Sequence, residues 1–166
     1  CYCNIHKDTL GTAPFQIDHY IPKKHFEGKR DDLLTLYSNL ILACPKCNRA
    51  KSDQFAGDVV SVPLDNQLFY NPDIVDYNTK FYRNELGGIF SDDDKGKEMI
   101  KRLKLYRPVH NYAWVLENLS SLIAQVNIQI ESTSGEEKMK LETIRDKLAY
   151  KYYIMHSHFL SAYRQK

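Results

Sequence analysis

Residues 39–53 read NLILACPKCNRAKSD and combine an apolar segment, a pair of cysteines and a polar segment. The segment Leu40-Ile41-Leu42-Ala43 predicts a buried β-strand, because short apolar runs between polar or turn residues are typical of one. The pair Cys44-Pro45-Lys46-Cys47 follows directly, and residues 48 to about 54 predict a short helix. We therefore expect a strand, a cysteine knuckle and a helix in that order.

A second strand is predicted upstream of this stretch. Phe15-Gln16-Ile17 leads into Asp18-His19 with an alternation of apolar and polar residues that suits the end of a strand. Pro22 stops regular pairing, and the charged residues 23–32 predict a loop. The N-terminal part of the chain is thus expected to run strand, loop, strand, helix.

The four cysteines form two close pairs, Cys1/Cys3 and Cys44/Cys47. This arrangement favours tetrahedral zinc over disulfide bonds, because the spacing within a knuckle lets both thiolates point at one ion. The spacing of Cys1 and Cys3 is unusually tight, so three alternatives stay open for the first ligand position: Cys1 itself, a residue upstream of it, or His6. A zinc site predicts a reducing, cytoplasmic compartment.

The rest of the chain predicts a connecting region and then helices. Phe81-Tyr82-Arg83 and Ile89-Phe90 flank Gly87-Gly88, which predicts a hairpin with a tight turn. After Asp94 apolar residues recur every three or four positions, which predicts a helix ended by Pro108 and then two long helices. Residues 131–136 separate the long helices and predict an antiparallel hairpin. The predicted segments are 1–57, 58–93 and 94–166.

Composition limits the function classes only weakly. The net charge of +2 and the pI of about 8.3 are compatible with nucleic-acid binding but far too mild to imply it. Apolar runs are all shorter than the roughly 18 residues that a membrane span requires, so no membrane association is expected.

The dipeptide Asp18-His19 offers the two kinds of group that phosphodiester hydrolysis needs. A neutral imidazole can take the proton of a water nucleophile. A carboxylate can hold a divalent cation that neutralises charge on the phosphate and stabilises the leaving oxygen. Because adjacent strand residues point to opposite faces, both side chains can reach one phosphate only at a strand end or bulge.

Two asparagines are candidates to complete this site. Asn39 opens the second strand opposite Asp18-His19, where its amide can fix the loop or the ring of His19. Asn48 begins the predicted helix and offers a neutral oxygen to the cation, although capping that helix is a competing role. One carboxylate and one amide make a weak protein site, which suits Mg²⁺ or Mn²⁺.

These residues together resemble the HNH nuclease motif of the ββα-metal superfamily. The resemblance is carried by Asp18-His19-x-x-Pro22, then Asn39, then Cys44-x-x-Cys47-Asn48-x-x-Lys51-Ser52-Asp53. It covers about residues 1 to 55 and implies an α+β fold, a small zinc-stapled ββα module followed by a mainly helical extension. The run 48–53 is also similar to the HNH domain of RNA-guided CRISPR effectors. Asn48 stands where many members have His.

The same resemblance implies a role for each motif residue. His19 is implied as general base, Asp18 and Asn48 as ligands of a catalytic Mg²⁺ or Mn²⁺, and Asn39 as the residue that orients His19 or its loop. The structural zinc is implied to be held by Cys1, Cys3, Cys44 and Cys47. DNA is the implied substrate, since the family mostly cuts DNA, and nothing in the sequence excludes RNA.

A looser resemblance concerns the region behind the motif. Asn71-Pro72-Asp73, the stretch from Phe81 to Ile89 and the lysine-rich helix that follows are similar to HNH proteins of Septu-type anti-phage systems. That family pairs its nuclease with an ATPase, which implies an ATPase partner subunit and a defence role here.

Basic residues crowd the motif. As a set, these basic side chains suit phosphate contacts, and for each of them a solvated loop position is the alternative. The candidates for binding nucleic acid are Lys23, Lys24, Arg49 and Lys51.

The main rival interpretation is a non-catalytic zinc module that binds nucleic acid or a protein partner. Such a module has no need for His19.

Overall fold

The computed structural model of the protein describes residues 2–6, 9 and 15–164. The chain divides into a first unit of residues 1–107 and a second unit of residues 108–166. Among the described residues, the first unit contains two small sheets and three α-helices, and the second consists of two long helices. The α+β fold, a small ββα module followed by helices, is confirmed.

The ββα module is formed by β1 (Gln16–His19), α1 (Lys23–Phe26), β2 (Leu40–Ala43) and α2 (Pro45–Lys51). Strands β1 and β2 pair antiparallel with an unbroken register from Gln16↔Ala43 to His19↔Leu40. Two 3₁₀ turns, Asp31–Leu34 and Tyr37–Asn39, fold the connection between them. The predicted second strand is therefore confirmed at residues 40–43, and the first strand ends at His19.

Helix α2 begins three residues before the predicted start. Pro45 occupies its first turn, where the missing N–H costs no hydrogen bond, and Cys44 is its N-cap. The Cys44 Sγ atom accepts a hydrogen bond from the Cys47 backbone N–H at 3.4 Å. The sequence alternative that made Asn48 the helix cap is wrong, because Asn48 lies in the middle of the helix.

The rest of the first unit holds a hairpin and a helix. Strands β3 (Tyr82–Arg83) and β4 (Ile89–Phe90) pair antiparallel. Their turn spans residues 84–88 and is longer than the predicted tight turn; Gly87 adopts φ +79° in it. Helix α3 (Asp94–Leu103) ends at Lys104, which adopts a left-handed conformation at φ 53°, and not at Pro108.

Packing in the first unit fixes the end of β1. Tyr20 is fully buried, and its hydroxyl donates to the Phe69 carbonyl at 2.7 Å and accepts from the Asn66 N–H at 3.1 Å. Ile21, Phe26 and Leu33 are buried around the loop that follows β1. The residues immediately after His19 are therefore held by the core.

The second unit is an antiparallel helical hairpin, as predicted. Helix α4 (Pro108–Ser132) and helix α5 (Gly135–Arg164) pack against one another and are joined by only two residues. Pro108 begins α4, in agreement with the preference of proline for the first turn of a helix. No helix in the described part of the chain has an apolar stretch long enough to cross a bilayer.

Candidate active site and metal cluster

Helix α2 packs on the face of β1 that carries Gln16 and Asp18. The Asn48 Nδ2 atom donates to Gln16 Oε1 at 2.8 Å. One helical turn later, the Lys51 Nζ atom donates to Asp18 Oδ1 at 3.1 Å. Since alternate residues of a strand share a face, these contacts place Asp18 and Asn48 on the same side of the small sheet.

Asp18 is buried and fully engaged in polar contacts. It is 7% exposed, and its Oδ2 atom accepts a hydrogen bond from the Tyr2 hydroxyl at 2.7 Å. Lys51 Nζ also lies 3.1 Å from Oδ2. Burial raises the pKa of Asp18 above its usual value, while the charge of Lys51 and the Tyr2 hydrogen bond oppose this rise. Burial likewise lowers the pKa of Lys51, so the pair is a desolvated ion pair.

His19 lies on the other face of β1 at its last residue. The ring is half-buried, lies 6.0 Å from the Phe26 ring centroid, and has its Nε2 atom 3.0 Å from the Leu34 carbonyl oxygen. A carbonyl oxygen can only accept, so this contact requires the proton on Nε2. In the neutral ring Nδ1 is then the atom that carries a lone pair, which is what a general base needs.

Asn39 fixes the loop around His19 rather than its ring. The side chain is fully buried, and its Oδ1 atom accepts from the Ile21 N–H at 2.8 Å. The amide Nδ2 donates to the carbonyls of Leu33 at 2.9 Å and Ile21 at 3.3 Å. Asn39 thus joins the segment that follows His19 to the carbonyl of Leu33. The carbonyl of the next residue, Leu34, is the one that contacts the imidazole ring.

The basic residues of the motif divide into two groups. Lys23, Lys24 and Arg49 are exposed, and Lys24 forms an ion pair with Asp53 at 2.8 Å. Lys51, for which a phosphate contact was expected, is instead fully buried and donates to the His19 carbonyl at 2.7 Å in addition to Asp18. Its contacts are therefore internal, and its full burial does not agree with the predicted phosphate contact.

A second cluster lies at the start of α2. Cys3, Cys44, Cys47 and His110 are all buried, and one potential ligand atom from each lies within 4.8 Å of the others. The Sγ atoms of Cys3 and Cys44 are 3.6 Å apart, and the three cysteines are not in disulfide bonds. These residues are close enough to hold a metal such as zinc, which prefers four sulfur and nitrogen ligands. Cys1, the other predicted ligand, lies outside the described residues.

The local environment of the thiols fits a metal site. Hydrogen bonding with Cys44 and Cys47, together with burial, raises the pKa of the Cys3 thiol well above its usual value. Three thiols this close together would repel one another as thiolates, whereas a bound cation would stabilise all three in the ionised form.

Reasoning from sequence missed His110 and Tyr2 as parts of the site, and it missed the contact of Lys51 with Asp18. His110 follows the motif by a long interval and had no spacing to reveal it. Tyr2 lies between two cysteines and gave no signal of its contact with Asp18. Lys51 did give one, because it follows Asn48 by three residues and therefore shares its face of any helix.

The comparisons with known proteins support one part of the chain. The family model described as HNH endonuclease matches residues 1–54, so the N-terminal third of the chain is similar to that family. No curated protein and no solved structure matches the chain. The resemblance to Septu-type proteins therefore has no support from a relative.

Proposed function

We propose that this protein is a metal-dependent endonuclease that hydrolyses phosphodiester bonds in DNA. The observation that carries the proposal is the hydrogen bond between His19 Nε2 and the Leu34 carbonyl, inside a domain that matches the HNH endonuclease model. This bond fixes the ring and leaves Nδ1 as its basic atom.

The proposed reaction begins with a water molecule beside His19. Nδ1 removes a proton from this water as its oxygen attacks phosphorus, and the bond from phosphorus to the 3′-oxygen breaks. The products are a 5′-phosphate and a 3′-hydroxyl, which takes up a proton. Asn39 acts as a positioning residue, because it fixes the loop segments on both sides of the imidazole.

The donor set on the face of β1 opposite to His19 fits a divalent cation, and His19 is the last residue of the strand, where side chains of both faces can reach one phosphate. The carboxylate of Asp18 and the amide oxygen of Asn48 are hard oxygen donors on one side of the sheet, of the kind that Mg²⁺ and Mn²⁺ accept. When bound, such a cation supplies charge neutralisation at the phosphate and at the leaving oxygen. The exposed side chains of Lys23, Lys24 and Arg49 are proposed to contact the phosphates of the nucleic acid.

The group of three cysteines and His110 is proposed to hold a structural metal ion. Cys3, Cys44, Cys47 and His110 would hold Zn²⁺ with a closed set of protein ligands, which stabilises a fold and leaves no position for substrate. Zinc there would connect the segment before β1 to the first turn of α2.

An ATPase partner and a role in anti-phage defence are a separate element of the proposal. Their support is the resemblance of residues 71–89 to Septu-type proteins. Co-expression with an ATPase of the kind that Septu-type systems pair with their nuclease, followed by co-purification and a cleavage assay, tests the association. Cleavage that is complete without any partner would contradict a requirement for it.

The decisive experiment for nuclease activity compares wild-type protein with His19→Ala. We expect the wild type to nick supercoiled plasmid in the presence of Mg²⁺ or Mn²⁺, and the variant to be at least about a hundredfold slower with unchanged DNA affinity, because it lacks the general base. His25→Ala is the matched control: its ring also contacts a backbone carbonyl, that of Asp53 at 2.9 Å, and it should cleave like the wild type.

Two outcomes would contradict the proposal. Nicking by His19→Ala at the wild-type rate would remove the base from the mechanism. DNA binding by both proteins without nicking under either metal would favour the non-catalytic module. A parallel assay with single-stranded RNA of the same sequence tests the choice of DNA.

A further inference from the structure

Lys51 is the one fully buried lysine in the described part of the chain. Lysine is almost never fully buried without a partner, because removing an ammonium group from water is costly. Here three oxygen atoms surround it: both carboxylate oxygens of Asp18 at 3.1 Å and the His19 carbonyl oxygen at 2.7 Å. The ammonium group therefore already stands as a cation beside the carboxylate of Asp18, which is proposed to bind the catalytic metal.

We propose that Lys51 is a built-in counter-ion of Asp18 and that a divalent cation must displace it from the carboxylate before the active site is loaded. The inference rests on the proposed function, which makes Asp18 a ligand. Lys51 is on this account a positioning residue that sets the cation concentration required for activity.

Charge and position both support this competition. The carboxylate of Asp18 already accepts hydrogen bonds from Tyr2 and Lys51, and it is 7% exposed. A divalent cation that joined them would lie next to an ammonium group in a poorly hydrated environment, where repulsion between like charges is weakly screened. Since Tyr2 is neutral and can remain in place, Lys51 is the partner that has to yield.

The second contact of Lys51 makes such an exchange structurally simple. Its bond to the His19 carbonyl is independent of Asp18, so the ammonium can lose the carboxylate and keep a backbone acceptor. Lys51 is also the last residue of α2, and Ser52 follows with φ 50°. In the proposed exchange the Lys51 side chain moves away from the carboxylate and keeps its acceptor on the backbone of β1.

The test is Mn²⁺ binding to the zinc-loaded protein without nucleic acid, measured by calorimetry and by the Mn²⁺ paramagnetic resonance signal. Mildly alkaline pH keeps the carboxylate ionised. Lys51→Met should bind Mn²⁺ about tenfold or more tightly than the wild type, because the competing charge is gone. Lys51→Arg, which keeps the charge, should bind as weakly as the wild type.

Two further variants assign the effect. Asp18→Asn/Lys51→Met should lose the tight Mn²⁺ binding, because the ligand is absent, while the protein keeps no unpaired buried charge. Lys97→Met is the matched control: Lys97 pairs with Asp94 on an exposed surface at 3.6 Å, so this variant removes the same charge elsewhere and should bind like the wild type.

Several outcomes overturn the inference. Equal Mn²⁺ binding by wild type, Lys51→Met and Lys51→Arg, with thermal unfolding showing that all are folded, would make Lys51 a purely structural ion-pair partner. If Lys51→Met fails to fold, tight Mn²⁺ binding by Lys51→Arg overturns it instead. If Lys51→Met binds Mn²⁺ no more tightly than the wild type, and the wild type nicks plasmid normally, the competition is rejected and the nuclease proposal stands. If Lys51→Met binds Mn²⁺ more tightly but the wild type does not nick plasmid, the competition stands and the nuclease proposal is rejected.

Discussion

At the scale of single residues, the candidate general base depends on a short chain of contacts. The Leu34 carbonyl receives the His19 Nε2–H, and the adjacent Leu33 carbonyl receives the Asn39 amide. Asn39 also binds the backbone of Ile21 through two hydrogen bonds. One buried amide therefore joins the segment that follows His19 to the segment that holds its ring.

Replacement of Asn39 tests this chain of contacts. Asn39→Ala should lower the free energy of unfolding by about 3 kcal/mol, because three hydrogen bonds are lost and the buried backbone groups are left without partners. It should also slow cleavage, mainly through kcat, because the ring loses its fixed acceptor. Urea unfolding and single-turnover cleavage are the measurements.

The exposed Asn78 provides the control for this substitution. Its amide side chain lies on the surface of a 3₁₀ turn, so Asn78→Ala should leave both stability and cleavage close to wild type. An Asn39→Ala protein that is destabilised yet cleaves at the full rate when folded would show that Asn39 serves stability alone.

At the scale of elements, helix α2 connects the cysteine cluster, formed by Cys3, Cys44 and Cys47 together with His110, to the candidate active site. Cys44 caps it, Cys47 is in the cluster, Asn48 contacts β1 and Lys51 contacts Asp18, all within seven helical residues and their cap. An isolated helix of this length is unstable in water. Its conformation must therefore come from its tertiary contacts, to which a metal held by the cysteines at its first turn would add.

If zinc is bound by this cluster, its loss should for this reason disturb the candidate active site as well. A chelator that removes zinc should increase hydrogen exchange at the amides of residues 44–51 and abolish cleavage. His110→Ala should weaken zinc binding at least about tenfold, and His110→Cys should restore much of it, because thiolate is also a zinc ligand. Metal analysis and competition with a chromogenic chelator measure both effects.

The control for this prediction is His156→Ala, which replaces an exposed histidine of α5. Stoichiometric zinc in His110→Ala with unchanged affinity would remove His110 from the ligand set.

Because the pKa of the Cys3 thiol is raised, zinc must displace protons from the thiols, and the affinity of the protein for zinc should fall as pH decreases.

At the scale of the whole molecule, local sequence patterns predicted most elements well and their ends less well. They missed the helical turn Lys23–Phe26, which lies in the predicted loop 23–32. The strand 40–43, the hairpin and the two long helices followed from periodicity and turn residues. The start of α2 was missed because a cysteine is not a typical N-cap, and here its sulfur accepts the capping hydrogen bond. The end of α3 was missed because Lys104 takes the left-handed position usually filled by glycine.

The site was predictable only as far as the motif extends. The spacing of Asp18, His19, Asn39 and Asn48 indicated which residues to examine, but it did not reveal that Lys51 neutralises Asp18 or that Leu34 fixes His19. The Leu34 contact depends on how the loop between β1 and β2 folds, and the Lys51 contact depends on how α2 packs on β1. Local propensity determines neither. His110 shows the same limit, since tertiary structure alone brings it to the cysteines.

The most direct test of the central claim is chemical rescue of the general base. His19→Gly should cleave plasmid DNA at least about a hundredfold more slowly than the wild type in the presence of Mn²⁺. Added imidazole should restore a substantial part of the rate, increasing with its concentration, because it can occupy the vacated space and accept the proton of the water. Cleavage by His19→Gly at the wild-type rate, or a slow variant on which imidazole has no effect, would contradict a catalytic imidazole at this position.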